Sequence, residues 1–162
     1  MKRLHVSLHV NDITESVRFY STLFVAEPTL LKDYYAKWML DDPHVNFVIQ
    51  PGDGRTGLNH LGIQGEDAAE FDEVSERMMS SEAPTVDQPG AVCCYAKSNK
   101  KWGQDPQGVI WESFHTTGAS EAFGSDGIQA NDFAGQEGAV CNGSVEAADF
   151  RPANTKETSC CG

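Results

Sequence analysis

Apolar and polar residues alternate at the start of the chain. Leu4, Val6, Leu8 and Val10 fall on one side of an extended segment, and His5, Ser7 and His9 fall on the other. This is the pattern of a half-buried strand. The period then changes. Ile13, Val17, Phe19, Tyr20 and Phe24 gather largely on one stripe of a helix predicted over residues 13–24. Two further strand-like runs, residues 35–40 and 45–50, flank the turn signal Asp41-Asp42-Pro43.

The same succession returns 55 residues later. His5-Val6-Ser7-Leu8-His9 matches His60-Leu61-Gly62-Ile63-Gln64, Asp12 matches Asp67, and Glu15 matches Glu70. A second helix is predicted over residues 68–79, with Ala68, Phe71, Val74, Met78 and Met79 on its apolar stripe. Runs at 91–96, 100–104 and 109–114 then read as strands, separated by a polar stretch and by Asp105-Pro106-Gln107-Gly108. Pro51-Gly52-Asp53-Gly54 divides the copies. The prediction is an α+β domain over residues 1–117, built from two βαβββ modules at about 2–50 and 57–117. Their sheets would form one open, barrel-like cavity. Residues 118–162 are poor in apolar runs and carry seven acids against two bases. Such a segment buries too little surface to offset its chain entropy, so a disordered acidic tail is predicted.

Composition narrows the function. The 162 residues are 40% hydrophobic, enough for a real core, and the net charge is −12. Nucleic acid is disfavoured as a partner, because binding a polyanion needs clustered Lys and Arg. An anionic membrane surface is disfavoured for the same reason. No run approaches the ~20 apolar residues that span a bilayer. His5, Ser7 and His9 interrupt any signal-peptide core. A cytoplasmic location is expected, where the five cysteines (Cys93, Cys94, Cys141, Cys160 and Cys161) are thiols rather than a disulfide framework.

The repeat brings chemistry with it. His5 and His60 occupy equivalent strand positions, so a pseudo-two-fold arrangement would point both imidazoles into one cavity. Glu112 lies in Val109-Ile110-Trp111-Glu112-Ser113-Phe114, with Ile110 and Phe114 on its face. A carboxylate there is costly to bury unless it is paired or bound to a metal. Two histidines and one carboxylate form the facial set of non-haem Fe(II) enzymes, although Zn, Mn, Co or Ni also suit these ligands. Setting Phe47 against Trp111 places Val48 opposite Glu112. Valine cannot coordinate, so the site is expected to keep open positions, as catalytic sites do. His9 is a candidate pocket liner, His44 a turn residue, and His115 a strand-end residue. The alternative for any one strand histidine is an ordinary hydrogen-bonded polar residue.

The stretch His5-Val6 to Asn11-Asp12, with Ser16, Phe19-Tyr20-Ser21 and Leu23-Phe24, resembles the opening of glyoxalase and bleomycin-resistance-like proteins, the vicinal oxygen chelate superfamily. Asn59-His60-Leu61-Gly62 and Asp105 to Glu112 resemble the second module's metal-binding strands. A narrower likeness rests on Tyr35-Ala36-Lys37-Trp38, Asn46-Phe47, Cys93-Cys94-Tyr95-Ala96 and Lys101-Trp102. These are similar to the organoarsenical carbon–arsenic lyases and their cadmium-induced relatives. The resemblance implies Fe(II)-dependent, dioxygen-using removal of organic groups from trivalent arsenic. His5 departs from the Gln often found at that position in the lyases. Arsenic(III) is soft and prefers sulfur. Cys93 and Cys94 are therefore the candidate substrate ligands, beside His5, His60 and Glu112 at the metal. Adjacent strand residues point to opposite faces, so the pair must lie at a strand end, bulge or loop. Two alternatives stand: a cadmium or arsenite sequestration protein without turnover, and another superfamily enzyme such as an extradiol dioxygenase or a glutathione-linked transferase. The small-molecule partners are an arsenical and dioxygen, and a homodimer is compatible with the sequence.

Overall fold

The computed structural model describes residues 1–52, 54–124, 128 and 130–133. The first module runs β1 (Arg3–Val10), α1 (Ile13–Phe24), β2 (Leu30–Lys32), β3 (Tyr35–Asp41) and β4 (His44–Pro51). The second runs β5 (Gly57–Gly65), α2 (Ala68–Ser80), β6 (Thr85–Cys93), β7 (Ala96–Gln104) and β8 (Ile110–Ala119). A short 3-10 turn, Ala130–Phe133, follows. One eight-stranded mixed sheet holds both modules in the order β2-β3-β4-β1-β5-β8-β7-β6. This is the α+β, two-module architecture of the vicinal oxygen chelate fold.

The two helices start alike for a common physical reason. Asp12 caps α1 by accepting the Glu15 N–H at 2.8 Å, and Asp67 caps α2 by accepting the Glu70 N–H at 2.8 Å. The repeated Asp-x-x-Glu spacing is thus a pair of helix starts. Ile13, Val17, Tyr20 and Phe24 pack on the first core with Val6, Leu8 and Val10. At its centre lie Ala36, Trp38, Val45, Phe47 and Ile49. Trp38 is fully buried and donates its indole N–H to the Ala26 carbonyl at 3.0 Å, which meets the need of a buried ring for a polar partner.

The modules join where β1 and β5 pair antiparallel, and each of these strands has its module's last strand as a parallel neighbour. Ser7 lies opposite Val48 in the first module, and Gly62 lies opposite Glu112 in the second. The expected equivalence of Val48 and Glu112 is therefore present in the register.

Three details differ from the sequence expectations. The run at 91–96 is not one strand. It contains the end of β6, a two-residue turn at Cys94-Tyr95, and the start of β7. The polar segment after it belongs to β7, because polar side chains there face a cavity rather than an apolar core. The short strand β2 and the extension of β8 to Ala119 were not predicted. Of the expected tail, 125–127, 129 and 134–162 lie outside the described residues, and with them Cys141, Cys160 and Cys161. Among the described residues no helix is long and apolar enough to cross a membrane.

Candidate metal and thiol site

Both modules turn alternate strand residues into one cavity of about 730 Å³, within the size range of small-molecule sites. His5, Ser7 and His9 reach it from β1, and Ile110, Glu112 and Phe114 from β8. Three potential ligand atoms converge there. His5 Nε2 and His60 Nε2 are 3.1 Å apart, and Glu112 Oε2 lies 3.7 Å from the first and 3.5 Å from the second. Among the described residues, this is the group of three or more His, Cys, Asp or Glu side chains close enough to share one metal ion. Gly62 makes the approach feasible, because a Cβ there would stand 2.7 Å from the Glu112 carbonyl oxygen.

The surroundings aim the donors. His5 Nδ1 lies 3.0 Å from the Asn46 carbonyl, which fixes the proton on Nδ1 and leaves the Nε2 lone pair facing the cluster. Burial lowers the His5 pKa to about 4 against the opposing pull of the Glu112 carboxylate, so the ring is neutral at neutral pH. Phe114 meets the His5 ring edge-on at 5.2 Å, and Trp102 meets His60 likewise at 5.2 Å. Two nitrogen lone pairs and a carboxylate oxygen suit a divalent ion with positions left open. His9 lines the cavity farther along, as expected, while His44 lies near the Met1 carbonyl and Asp41.

Lys100 is the site residue that sequence reasoning missed. It comes from β7, is 10% exposed, and places Nζ 2.6 Å from Glu112 Oε1. Burial would raise the Glu112 pKa, but the Lys100 ammonium and the two imidazoles outweigh it and hold the carboxyl well below its usual range. The pairing leaves Oε2 for the imidazole side. Its signal was the alternation Ala96, Ser98, Lys100, Trp102, all four of which line the cavity. Lys101, singled out from sequence, points elsewhere and pairs with Asp87.

Cys93 ends β6, and Cys94 with Tyr95 forms the hairpin connection, at φ 59° and 63°. Positive φ at both central residues is the requirement of a type I′ turn, usually met by Asn and Gly. Here it is imposed on two ordinary residues, a strain of the kind found at functional sites. The turn cancels the strand alternation and sets the sulfurs side by side, 2.7 Å apart, beyond the covalent ~2.05 Å of a disulfide. Both cysteines line the cavity that holds the histidines and Glu112. The Cys93 sulfur and burial push the Cys94 pKa up, so Cys94 is a thiol at neutral pH.

The turn Asp105-Pro106-Gln107-Gly108 sets the entry of β8. Asp105 Oδ1 accepts the Gln107 and Val109 N–H groups at 2.8 and 2.9 Å. The Val109 bond leads the causes that lower the Asp105 pKa. A depressed carboxylate stabilises the fold above its unfolded pKa, and that gain fades as pH falls through the folded value. The urea midpoint of wild type should therefore exceed that of Asp105→Asn at pH 7, and the gap should narrow as pH falls below the ordinary carboxylate range of about 4. A gap unchanged in acid would refute this role for the turn.

A family model described as the glyoxalase/bleomycin resistance protein/dioxygenase superfamily matches residues 2–113. The chain belongs to that superfamily. Among curated proteins, the trivalent organoarsenical cleaving enzyme of Bacillus sp. strain MD1 is 39% identical over 119 residues, 72% of this chain and 74% of that one. The cadmium-induced protein CadI of Mycobacterium tuberculosis H37Rv is 35% identical over 143 residues, 87% of this chain and 93% of that one. Homoprotocatechuate 2,3-dioxygenase from Arthrobacter globiformis shares the superfamily fold with a TM-score of 0.55 at 18% identity, over 80% of this chain and 39% of that one. The Mn(II)-bound glyoxalase from Novosphingobium aromaticivorans gives 0.52 at 14% identity, over 80% and 44%. This chain thus spans under half the length of these two solved proteins, and the likeness is one of fold.

Proposed function

We propose that the protein cleaves the carbon–arsenic bond of trivalent organoarsenicals, with Fe(II) held by His5, His60 and Glu112 and with dioxygen as oxidant. The observation that carries this reading is the opening of a cysteine turn into the same cavity as a His-His-Glu cluster. Two chemically different ligand sets face one volume, one of nitrogen and oxygen and one of sulfur. The organoarsenical cleaving enzymes among the relatives support the substrate class.

The chain's own residues divide the work. An organoarsenous acid, R–As(OH)₂, exchanges its two hydroxyls for the Cys93 and Cys94 sulfurs, and the thiol protons leave with those hydroxyls as two waters. The net exchange starts from two thiols, the form in which the Cys93 sulfur and burial hold Cys94. Lys100 fixes Glu112, and the Asn46 carbonyl fixes the His5 tautomer. Trp102, Phe114 and the buried Tyr35 close polar groups of the site against water. Fe(II), when bound, supplies redox chemistry with dioxygen that no side chain provides.

A sequestration protein would need the thiols alone, and the cadmium-induced relatives favour that second reading. One assay separates them. Intact protein with Fe(II), air and methylarsenite should release inorganic arsenite over repeated turnovers, and should not do so without oxygen. Binding with no release under any divalent metal would replace the lyase with a sink.

A further inference from the structure

The chain past β8 turns back over the thiol-bearing hairpin. The Cys94 N–H donates to the Phe123 carbonyl, and the Ser120 N–H donates to the Tyr95 carbonyl at 2.9 Å. Gly124, at φ +77°, lies so close to β6 that an added Cβ would stand 1.8 Å from the Val92 carbonyl oxygen. Residues 120–124 are therefore a strap fastened at three points to residues 92–95. The strap lies beyond the residues matched by the superfamily model.

The strap carries one ring into the cavity. Phe123 packs on Tyr95 at 5.6 Å and on Tyr35 at 5.9 Å, and Tyr35 meets Tyr95 at 5.8 Å. The triangle draws one ring from β3, one from the turn and one from the strap. Tyr35 is 2% exposed, but Phe123 remains 40% exposed and lines the cavity with Cys93 and Cys94. An open aromatic face beside two thiols offers a flat apolar group the area and edge-to-face contacts that favour aromatic pairs. A single methyl group covers little of such a face, and the cavity is far larger than methylarsenite requires.

We infer that Phe123 is the wall that receives the organic substituent of a thiol-bound arsenical, and that it makes the site select aryl over methyl groups. The inference rests on the thiol-site reading above. Its test is binding, measured anaerobically on the full chain without iron, so that turnover plays no part. The probes are phenylarsenite, methylarsenite and inorganic arsenite. Phe123→Ala should weaken phenylarsenite about tenfold, the size of one good aromatic contact, and leave the other two unchanged. Gly124→Ala, which cannot seat the strap, should weaken all three. If the Ala variant does not fold, Phe123→Leu keeps the apolar volume and should still reduce the phenyl-to-methyl preference. Equal losses for all probes, or none, in the Phe123 variants would overturn the assignment. Failure of wild type to bind any of the three would instead remove the thiol-site reading itself.

Discussion

Glu112→Ala should abolish stoichiometric Fe(II) binding and arsenite release, and it should also cost about 3–5 kcal/mol of stability. The two losses have separate causes. Metal binding fails because one of three protein ligands is gone. Stability falls because Lys100, 10% exposed and 2.6 Å from the carboxylate, is left as a buried charge without its counter-ion. His60→Ala provides the contrast. It removes a ligand and strands no charge, so binding should vanish with a smaller stability loss. Glu112→Ala/Lys100→Met should recover most of the lost stability and none of the iron binding. Anaerobic calorimetric titration with Fe(II) and urea unfolding of the four proteins check these outcomes. Undiminished iron affinity in both single-ligand variants would defeat the site assignment. An unchanged urea midpoint in Glu112→Ala would show that Lys100 finds another partner.

The double variant Cys93→Ser/Cys94→Ser should behave in the opposite way. Affinity for methylarsenite should fall by roughly a hundredfold, about 2.7 kcal/mol, because hard hydroxyls replace soft sulfurs. Fe(II) affinity should persist, since no residue of the His-His-Glu cluster is touched. Arsenical should still bind to Glu112→Ala. The decisive pattern is this double dissociation, read by arsenic retention on desalted protein and by iron titration. Loss of iron with the cysteines, or retention of arsenical without them, would merge the two sites and exclude the division of labour proposed here. The hairpin itself should survive, because serine tolerates the φ of 59° at position 94 no worse than cysteine.

The strap limits truncation. The sequence marked residue 118 as the start of a disordered acidic tail. Yet β8 continues to Ala119, and residues 120–124 hold the thiol turn through Cys94 and Tyr95. A cut before Gly118 therefore removes hydrogen bonds from the turn and Phe123 from the cavity wall. Isolated Phe123, in a segment rich in Ala, Ser and Gly, gives no periodic signal, because its contacts come from β3 and the β6–β7 turn rather than from its neighbours in sequence.

Much of the site was legible because it is written in local periods. Alternation along β1 separated His5 from the core-facing Val6, Leu8 and Val10, and the 55-residue repeat carried the same face to His60. A carboxylate flanked by Ile110 and Phe114 marked Glu112. Apolar stripes announced both helices, and the repeated Asp12/Glu15 and Asp67/Glu70 spacing proved in the structure to be their caps. What lay outside reach depends on pairing across the sheet. Lys100 became a site residue because β7 runs antiparallel to β8 with Lys101 opposite Ser113 and Trp102 opposite Glu112. Side-chain reach across that register, not spacing in sequence, brings its ammonium to the carboxylate. The cysteine pair required a strand end, as expected from alternation, but its type I′ geometry is stabilised by the β6–β7 pairing and the returning strap. Sequence determined which faces the strands present, because side-chain direction has a period of two residues. Only the tertiary structure decided which of those faces meet, because strand register and chain return are set by contacts between residues far apart in the chain.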